Sequence, residues 1–448
     1  MKAFIDKLFA AAKFAGFTAA EAFLLEDESF EAVAVNQEIN QYSSHQTRGL
    51  GFRAMLNGRM GYAATEAFDD AAIAQLIRGA TDSATLCEDP SEQFIFDGKQ
   101  PDPKLDLYNE ALDGVPVQAK LDFALAMERA AKAYDKRIEQ VGYTTIVTGR
   151  QNVRLINTNG LDKSYAENYC TAYTQPVAHD GESIATGFYA LTARDFAKLN
   201  AQAIADRASE IAVSSLHATS VPSGKYRVLF DRLAMTDLLS TFSGVFSAEN
   251  AQKDLSLLKG KLGETIAAPC VTIVDDPLRA DGFACRPFDA EGVPSSRHTV
   301  VDGGVFRTFL HNLKTARKDG VETTGNASKA GYAASVRVAP TNFFIEPGAQ
   351  SPADVMQVIG DGLLITEVEG LHAGANAVSG DFSLLAKGYR VTDGKRGAPV
   401  EQITVAGNFL ELLKGVQTVC NDLIFDNGGV ECPSLYVGEL SVAGKSEN

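Results

Sequence analysis

The stretch AEAFLLEDESFEAVAVNQEINQYSSHQTRGLGFRAMLNGRMGYAAT, residues 20–65, decides the fold of the first half of the chain. Apolar and polar residues alternate along most of it, which is the period of a half-buried β-strand. Asn57 and Gly58 interrupt the alternation, and Asn-Gly is a preferred pair for the type I′ turn of a two-residue hairpin. The stretch therefore predicts several antiparallel strands, two of them joined directly at this turn.

Helical patterns lie on both sides of this stretch. Residues 1–17 place apolar side chains at helical spacing, and their charges interrupt any apolar core, so they predict an amphipathic helix rather than a signal peptide. Asp69 and Asp70 begin a second helix, because acidic residues suit a helix N-terminus. The N-terminal part is therefore predicted to be α+β, an antiparallel sheet with packed helices.

The same alternation of elements continues to about residue 216. A connection rich in Pro, Asp and Gly at 89–116 precedes a helix over Val117–Tyr134. The further elements predicted from the pattern are strands near 138–148, 151–158, 164–177 and 183–193 and a helix from Asp195 to about Leu216.

The composition of the sequence changes after residue 216, which predicts a domain boundary there. Segment 217–226 has the Pro, Ser and Gly content of a linker. Beyond it we expect many short strands, one helical region from Arg232 to about Lys259, and a short helix opened by the cap and first-turn proline of Ser351-Pro352. The prediction is an N-terminal α+β domain at 1–220 and a β-rich C-terminal domain at 221–448.

Composition limits the classes of function. The 448 residues include 57 acidic and 41 basic side chains, a net charge of −16 that disfavours direct binding to nucleic acid. No apolar run reaches the roughly 18 residues of a membrane-spanning helix. The six cysteines lie far apart without a C-x-x-C pair, which is typical of reduced thiols. We therefore expect a cytoplasmic protein that binds neither membrane nor nucleic acid directly.

Common catalytic motifs are missing from the sequence. No two histidines have the spacing of a zinc-binding helix, and the nucleophile motif G-x-S-x-G does not occur. The string GLGFRA at 49–54 approximates the dinucleotide-binding motif, but a hairpin strand follows where that motif needs a helix, so we interpret its glycines as a strand bend. Asp275 and Asp276 follow the apolar run 271–274 and predict a polar turn rather than a metal site.

The densest polar stretch is HNLKTARKDGVETTGNASKAGY, residues 311–332. One interpretation is a solvated loop between two strands. The other is a surface that contacts a carboxylate or a peptide backbone. For the second interpretation, the candidate substrate or partner contacts are His311, Asn312, Lys314, Arg317, Gly325 and Asn326.

Several segments, taken in order, resemble the TldD/PmbA family, and within it the PmbA (TldE) type, a family also called peptidase U62 and modulator of DNA gyrase. Together they span almost the whole chain. The resembling strings are GLGFRAMLNGRMGYAAT (49–65), LLSTFSGVFSAENAQKDLSLLKGKLGE (238–264), VTIVDDPL (271–278), FLHNLKTARKDGVETTGNA (309–327), VSGDFSLLAKGYRVTDGKRGAPVEQITVAGNFLELL (378–413) and VECPSLYVGELSVAG (430–444).

The resemblance implies a subunit of a cytosolic zinc metallopeptidase, in which a TldD-type chain pairs with a PmbA-type chain to cut unstructured peptides. In the TldD type, zinc is held by an H-E-x-x-x-H helix and a cysteine near the C-terminus. In the matching helix here, Ser240 and Val245 stand at the histidine positions and Thr241 at that of the general-base Glu. Cys432 falls near the position of the cysteine.

These replacements predict a chain without a catalytic residue or a metal ligand of its own. A hydroxyl is a poor substitute for imidazole toward zinc, and a valine side chain cannot ligate at all. We therefore expect the zinc in a TldD-type partner, a heterodimer whose contact lies in the C-terminal domain, and unfolded peptides as substrate.

Two alternatives remain open at this point. The chain could act as a homodimeric peptide- or protein-binding regulator without hydrolysis, and any effect on gyrase would then operate through proteins. It could also be an enzyme that uses Ser240, Thr241 or Ser243 as nucleophile, although the sequence offers no His or Lys beside them as a base.

Overall fold

The structure is a computed structural model that describes residues 1–86, 93–426 and 428–445. The first half of the chain forms one sheet with helices. Its strands are β1 (Ala19–Val35), β2 (Glu38–Leu56), β3 (Arg59–Thr65), β4 (Ile138–Asn157), β5 (Asp162–Asp180), β6 (Ser183–Thr186) and β7 (Tyr189–Ala193). Its helices are α1 (Lys2–Phe14), α2 (Asp70–Leu86), α3 (Glu110–Asp113), α4 (Val117–Tyr134) and α5 (Ala201–Ser214).

These strands form an antiparallel sheet in the order β3-β2-β1-β4-β5-β6, and β7 also pairs with β5. Because side chains alternate between the faces of a strand, every second residue near each end of β1 is buried under helices. Helices α1 and α2 cover one end of this face, and α4 and α5 cover the other end. With 17 residues, β1 is long enough to carry both helix pairs side by side.

Local sequence signals located several elements correctly. Helix α4 has the predicted bounds Val117–Tyr134. Asn57 and Gly58 have φ angles of 51° and 76°, the left-handed conformation that a type I′ turn requires at both central positions. Ser351 caps a helix that begins at Pro352, with the reciprocal hydrogen bonds of a capping box.

Two other predicted elements differ in extent. The strands expected at 138–148 and 151–158 are one strand, β4, because its middle is hydrogen-bonded to β1 on one side and to β5 on the other. Helix α5 begins at Ala201 rather than near Asp195, because the Asn200 side chain caps it there. Tertiary pairing and a side-chain cap thus decided boundaries that periodicity alone placed wrongly.

The connection expected at 89–116 is irregular from residue 93 to the short helix α3. Residues 89–92 and Cys87 lie outside the described residues. The cysteines that the structure describes are all free thiols. Within the described ranges, no helix combines the length and apolarity needed to cross a membrane.

The second half of the chain is rich in strands. They are β8 (Gly224–Phe230), β9 (Ile273–Asp275), β10 (His298–Asp302), β11 (Val305–Phe306), β12 (Ala327–Ser328), β13 (Arg337–Val338), β14 (Phe343–Ile345), β15 (Gly362–Glu369), β16 (Asp381–Thr392), β17 (Lys395–Asn408), β18 (Thr418–Val419), β19 (Val430–Glu431) and β20 (Leu435–Ala443). The helices are α6 (Arg232–Phe242), α7 (Ala248–Gln252), α8 (Leu313–Asp319), α9 (Pro352–Ile359), α10 (Leu371–Gly374) and α11 (Phe409–Gly415). The α+β class is confirmed, and the division into domains at residue 220 stays a prediction.

The larger sheet of this half has the order β17-β16-β15-β8-β20-β18, and a further pairing of β17 with β20 closes it into a ring. The largest apolar core of the described chain joins the inner side of this ring to α6 and to the second sheet, β11-β10-β9-β14-β19. The helical region expected from Arg232 to Lys259 is divided. Helix α6 ends at Phe242, a 3-10 turn spans Ser243–Phe246, and α7 ends at Gln252.

The two halves meet at a buried group of charges. Arg53 of β2 donates to both carboxylate oxygens of Glu21, at 2.6 and 3.2 Å, and to Glu291 at 2.8 Å. Each of these three side chains is at most 5% exposed. The second oxygen of Glu291 accepts the backbone N–H of Leu313, the first residue of α8, at 2.8 Å. One guanidinium therefore connects the N-terminal sheet to the start of α8.

Replacing Arg53 by Met leaves Glu21 and Glu291 buried without their cation. We expect the free energy of unfolding to fall by about 3–5 kcal/mol, which is the usual effect of breaking a buried ion pair on one side. Urea denaturation measures this change. The matched control is Arg154→Met on β4, because Arg154 pairs with the exposed Asp162 and should contribute about 1 kcal/mol or less. Equal losses in the two variants would contradict the expectation.

Candidate functional site

Of the three positions that the resemblance matches to a zinc-binding helix, Ser240 and Thr241 lie on α6 and Val245 lies in the 3-10 turn that follows it. The Asp231 carboxylate begins the helix by accepting the Leu233 N–H at 3.0 Å. The helix is fixed by its apolar face, where the Phe242 ring stacks on Phe409 with ring centres 4.6 Å apart. The helix therefore has a packing role that does not depend on a metal.

The side chains at the three positions lie in different surroundings. Ser240 is exposed, and Thr241 donates its hydroxyl hydrogen to the Asp237 carbonyl at 2.8 Å. Val245 is buried in the apolar core. Ser243 likewise donates its hydroxyl hydrogen to the Ser240 carbonyl at 2.8 Å.

Cys432 is close to this helix but is fully inside the fold. It is 1% exposed, and its backbone N–H donates to the Thr236 hydroxyl of α6 at 2.9 Å. Burial raises the pKa of the Cys432 thiol well above its ordinary value, and the nearby Asp422 and Glu431 raise it further. The side chain is therefore a protonated thiol, whereas zinc binds the thiolate.

The residues around α6 do not fit a zinc ion. Ser240 and Thr241 offer only alkyl hydroxyls, Val245 offers no ligand atom, and Cys432 is a protonated thiol. None of them supplies the imidazole nitrogen or the activating carboxylate of a catalytic zinc site. Across the part of the chain that the structure describes, no group of three or more His, Cys, Asp and Glu side chains is arranged to hold a metal.

The polar stretch 311–332 lies directly beside the segment that follows α6. Leu310 donates its N–H to the Phe246 carbonyl at 2.9 Å, and its carbonyl accepts the Ala248 N–H at 3.0 Å. Gln252 of α7 donates to the Thr315 carbonyl of α8 at 2.9 Å. The two groups of candidate residues are thus neighbours in the fold.

The interpretation of this stretch as a solvated loop is wrong, because much of it is buried. Asn326 is fully buried and donates its amide to Asp275 at 2.7 Å. Asp275 also accepts the Thr341 N–H at 2.6 Å, so it is a buried acceptor in strand β9 rather than part of a polar turn. His311 is 4% exposed, and burial lowers its pKa.

The remaining candidates of this stretch have varied positions. The Asn312 side chain caps α8 by accepting the Thr315 N–H at 2.9 Å. Gly325 has a φ of 70°, and its carbonyl accepts a hydrogen bond from the Arg286 guanidinium at 3.2 Å. The Arg317 guanidinium lies over the Phe94 ring, 5.0 Å from its centre.

A cleft of about 360 Å³ is lined by residues of both α7 and α8, and we call it the α7–α8 cleft. Asn312 and Lys314 line it, together with Lys253, Lys318 and Arg337. Glu249 is the carboxylate among the lining residues. The cleft is therefore basic, although the chain as a whole carries a charge of −16.

Glu249 fixes one wall of this cleft. It accepts hydrogen bonds from Lys253 at 2.6 Å, from Arg337 at 3.0 Å and from the Val338 N–H at 3.2 Å. Burial alone would raise the pKa of Glu249, but these donors hold it below its ordinary value. Its charge is therefore kept, and it holds two of the cationic side chains in place.

Gly49 and Gly51, the two glycines of the string GLGFRA, leave room for Tyr332 at the end of the polar stretch to approach strand β2. A Cβ at Gly49 would lie 2.3 Å from the Tyr332 ring, and a Cβ at Gly51 would lie 2.0 Å from the Tyr332 carbonyl oxygen. Both residues are within the regular strand β2. They mark a close approach of the two halves rather than the strand bend that the sequence suggested.

Three family models match the chain in order. They are the PmbA/TldA metallopeptidase domain 1 at residues 20–84, the central domain at 110–216 and the C-terminal domain at 223–444. The fold and these matches define a protein built from the three domains of a metallopeptidase family. The chain belongs to the PmbA/TldD family, which confirms the resemblance found in the sequence.

Relatives cover almost the whole chain. An uncharacterized protein of Methanocaldococcus jannaschii has 30% identity over 92% of this chain and 94% of its own length. The metalloprotease PmbA of Escherichia coli O157:H7 has 26% identity over 91% of this chain and 88% of its own. A solved structure from Thermotoga maritima, described as a modulator of a DNA gyrase, matches with a TM-score of 0.91 and 35% identity over 99% of this chain and 100% of its own.

The structure of TldE from Thermococcus kodakarensis has the same fold, with a TM-score of 0.86 and 22% identity over 98% of this chain and 100% of its own.

Sequence reasoning missed three of the charged residues that shape this region. Glu291 and Arg337 lie outside every quoted string, and Glu249 lies within the string 238–264 without a predicted role. Each contacts groups far away in the sequence. Gly51 was the one available signal, because a glycine inside a strand often marks a close approach of another backbone.

Gly51→Ala should weaken the junction of the two halves, because the added methyl group collides with the backbone at Tyr332. We expect a loss of about 1–3 kcal/mol in the free energy of unfolding, as for other overpacked sites. Gly331→Ala is the control, because a Cβ at Gly331 meets nothing within 4 Å. Chemical denaturation of both variants tests this, and an undisturbed Gly51→Ala variant would contradict the close approach.

Proposed function

We propose that this chain is the non-catalytic, PmbA/TldE-type subunit of a cytoplasmic zinc peptidase that degrades unstructured peptides. A TldD-type partner would hold the zinc ion and the general base. This chain would complete the substrate-binding surface and stabilise the assembly. The relatives named as metalloproteases support the family context of this proposal.

The observation that carries the proposal is the chemistry of the zinc-helix positions. Ser240, Thr241 and Val245 occupy them, and the nearby Cys432 is a buried thiol with a raised pKa. A peptidase of this family would need imidazole ligands and a carboxylate there. The helix itself is retained, because its apolar side belongs to the main core.

The α7–α8 cleft supports a role in holding peptides. Lysine and arginine side chains donate hydrogen bonds to backbone carbonyls and to carboxylates, which every peptide carries. Such contacts bind an unfolded chain without demanding a particular sequence. We extend the proposal to this cleft as the part of the substrate surface that this subunit contributes, next to a subunit contact in the C-terminal half.

The first test compares this chain alone, its TldD-type partner alone and the two together, with an unfolded peptide as substrate. We expect cleavage by the pair, its loss with a zinc chelator, and none by this chain alone. In the pair, Ser240→Ala and Thr241→Ala should leave cleavage within about twofold, because neither hydroxyl supplies a ligand or a base.

Two results would overturn the proposal. Chelator-sensitive cleavage by this chain alone would place a functional metal site in it. A complete loss of cleavage in Thr241→Ala, with an intact complex by size-exclusion chromatography, would revive a hydroxyl nucleophile.

The second test reverses one charge in the cleft. Lys318→Glu should raise the KM of the pair for an unfolded peptide by about tenfold with little change in kcat, as expected when ground-state binding is lost. Lys104→Glu makes the same change at an exposed position outside the cleft and should leave KM unaltered. Steady-state kinetics of the pair separates these outcomes, and a change confined to kcat would contradict binding at the cleft.

A second candidate function is a homodimeric regulator that binds peptides or proteins without hydrolysis. The description of the solved Thermotoga maritima relative as a modulator of a DNA gyrase favours a regulatory role. Because of the charge of −16, we would expect such an effect to act through proteins rather than DNA. A stable homodimer that does not exchange with a TldD-type chain, measured by light scattering, would favour this alternative.

A further inference from the structure

Lys120 is a buried lysine on the inner face of α4. It is 8% exposed and lies between the helix and the sheet. Lysine is almost never buried to this extent unless a carboxylate pairs with it. The charge of Asp113 favours the ammonium form, but the salt bridges among the described residues include none to Lys120, so no direct ion pair accounts for its burial.

The ammonium group of Lys120 has more donors than partners. It donates to the Thr148 hydroxyl at 2.9 Å and lies 4.9 Å from the centre of the Phe30 ring. An ammonium carries three N–H donors, and a neutral hydroxyl accepts only one of them. Burial lowers the pKa of Lys120, which is consistent with this incomplete compensation.

Lys120 lines a cavity of about 200 Å³ that is separate from the α7–α8 cleft. Its walls come from β1, β2, β4, α3 and α4, all of them in the N-terminal half. Arg150 also lines it, and the Nε–H of Arg150 is buried without a hydrogen-bond partner. Two cationic side chains that each keep an unmet donor thus line one cavity.

Two carboxylates line the same cavity. Glu28 accepts from the Arg150 guanidinium at 2.6 Å, and Asp113 accepts from it at 3.2 Å. The cavity therefore carries two positive and two negative side chains. A ligand with one charge of each sign matches this arrangement, whereas phosphate would add uncompensated negative charge beside two carboxylates.

The volume restricts the ligand further. Cavities that hold drug-sized molecules are about 300–1,000 Å³, so this one suits a smaller molecule. We propose that it binds a small zwitterion of the free amino acid class. The ligand carboxylate accepts hydrogen bonds from Lys120 and Arg150, and its ammonium group interacts with Glu28 and Asp113. This site is independent of the proposed peptidase role, since none of its lining residues belongs to the α7–α8 cleft.

Isothermal titration calorimetry of the full chain at neutral pH tests the proposal, with each proteinogenic amino acid as probe. Acetate and methylammonium represent the two halves of the ligand. We expect at least one amino acid to bind, and acetate or methylammonium alone to bind at least about tenfold more weakly, since each makes only part of the contacts.

Lys120→Met keeps the length of the side chain and removes its charge. We expect it to weaken amino acid binding by about tenfold or more. Lys132→Met makes the same change on the exposed side of α4 and should bind as the unmodified protein does. Thermal unfolding should show that Lys120→Met is folded, because it replaces a poorly compensated buried ammonium with an apolar group.

Arg150→Met is a second variant whose result does not depend on Lys120. It removes one donor and frees Glu28 and Asp113 of their cation, so amino acid and acetate binding should weaken while methylammonium binding strengthens. A complete lack of binding by all amino acids would overturn the proposal, as would equal binding by Lys120→Met. Binding of inorganic phosphate in preference to every amino acid would overturn the zwitterion as ligand.

Discussion

The ion group of Arg53, Glu21 and Glu291 is the interaction on which the arrangement of this protein depends. Charges taken out of water are tolerated only when their partners are fixed at hydrogen-bond distance, and here each side chain is nearly inaccessible. Because Glu291 also accepts the first N–H of α8, the position of that helix is set by a residue of the N-terminal sheet. The α7–α8 cleft therefore has its geometry only while the two halves are joined.

In helix α6, the residues that pack against the core are different from the residues at the positions matched to zinc ligands. The side of the helix toward the core supports the closed sheet through Phe242 and its stacked partner. Ser240 and Thr241 carry hydroxyls outside the apolar core, whereas Val245 is part of that core, so none of the three positions depends on a metal for its packing. The packing of this helix therefore does not depend on which side chains occupy Ser240 and Thr241, because different residues form its apolar face.

The sequence predicted those features whose causes are local. The bounds of Val117–Tyr134 and the turn at Asn57-Gly58 follow from periodicity and backbone preference, which a short window contains. Strand β4 was divided in the prediction because its pairing with two neighbours is invisible in its own residues. The burial of Asn326 against Asp275, and the cations around Glu249, depend on contacts between distant segments, so composition suggested a solvated loop instead. Family resemblance supplied the zinc-helix positions, which no spacing rule could have identified here.

The pairing of β17 with β20 has a consequence for how this protein can meet other chains. A sheet that ends in a free strand offers a row of unused backbone donors and acceptors, and an extended peptide can join it as an additional strand. In the ring of β17, β16, β15, β8 and β20, each strand is hydrogen-bonded to a neighbour on both sides over its paired residues. These paired residues therefore leave no free strand edge for a peptide to join. Another chain that binds at this surface therefore has to contact side chains and loops. Its binding would depend on complementary shape and charge rather than on backbone hydrogen bonds to a free strand.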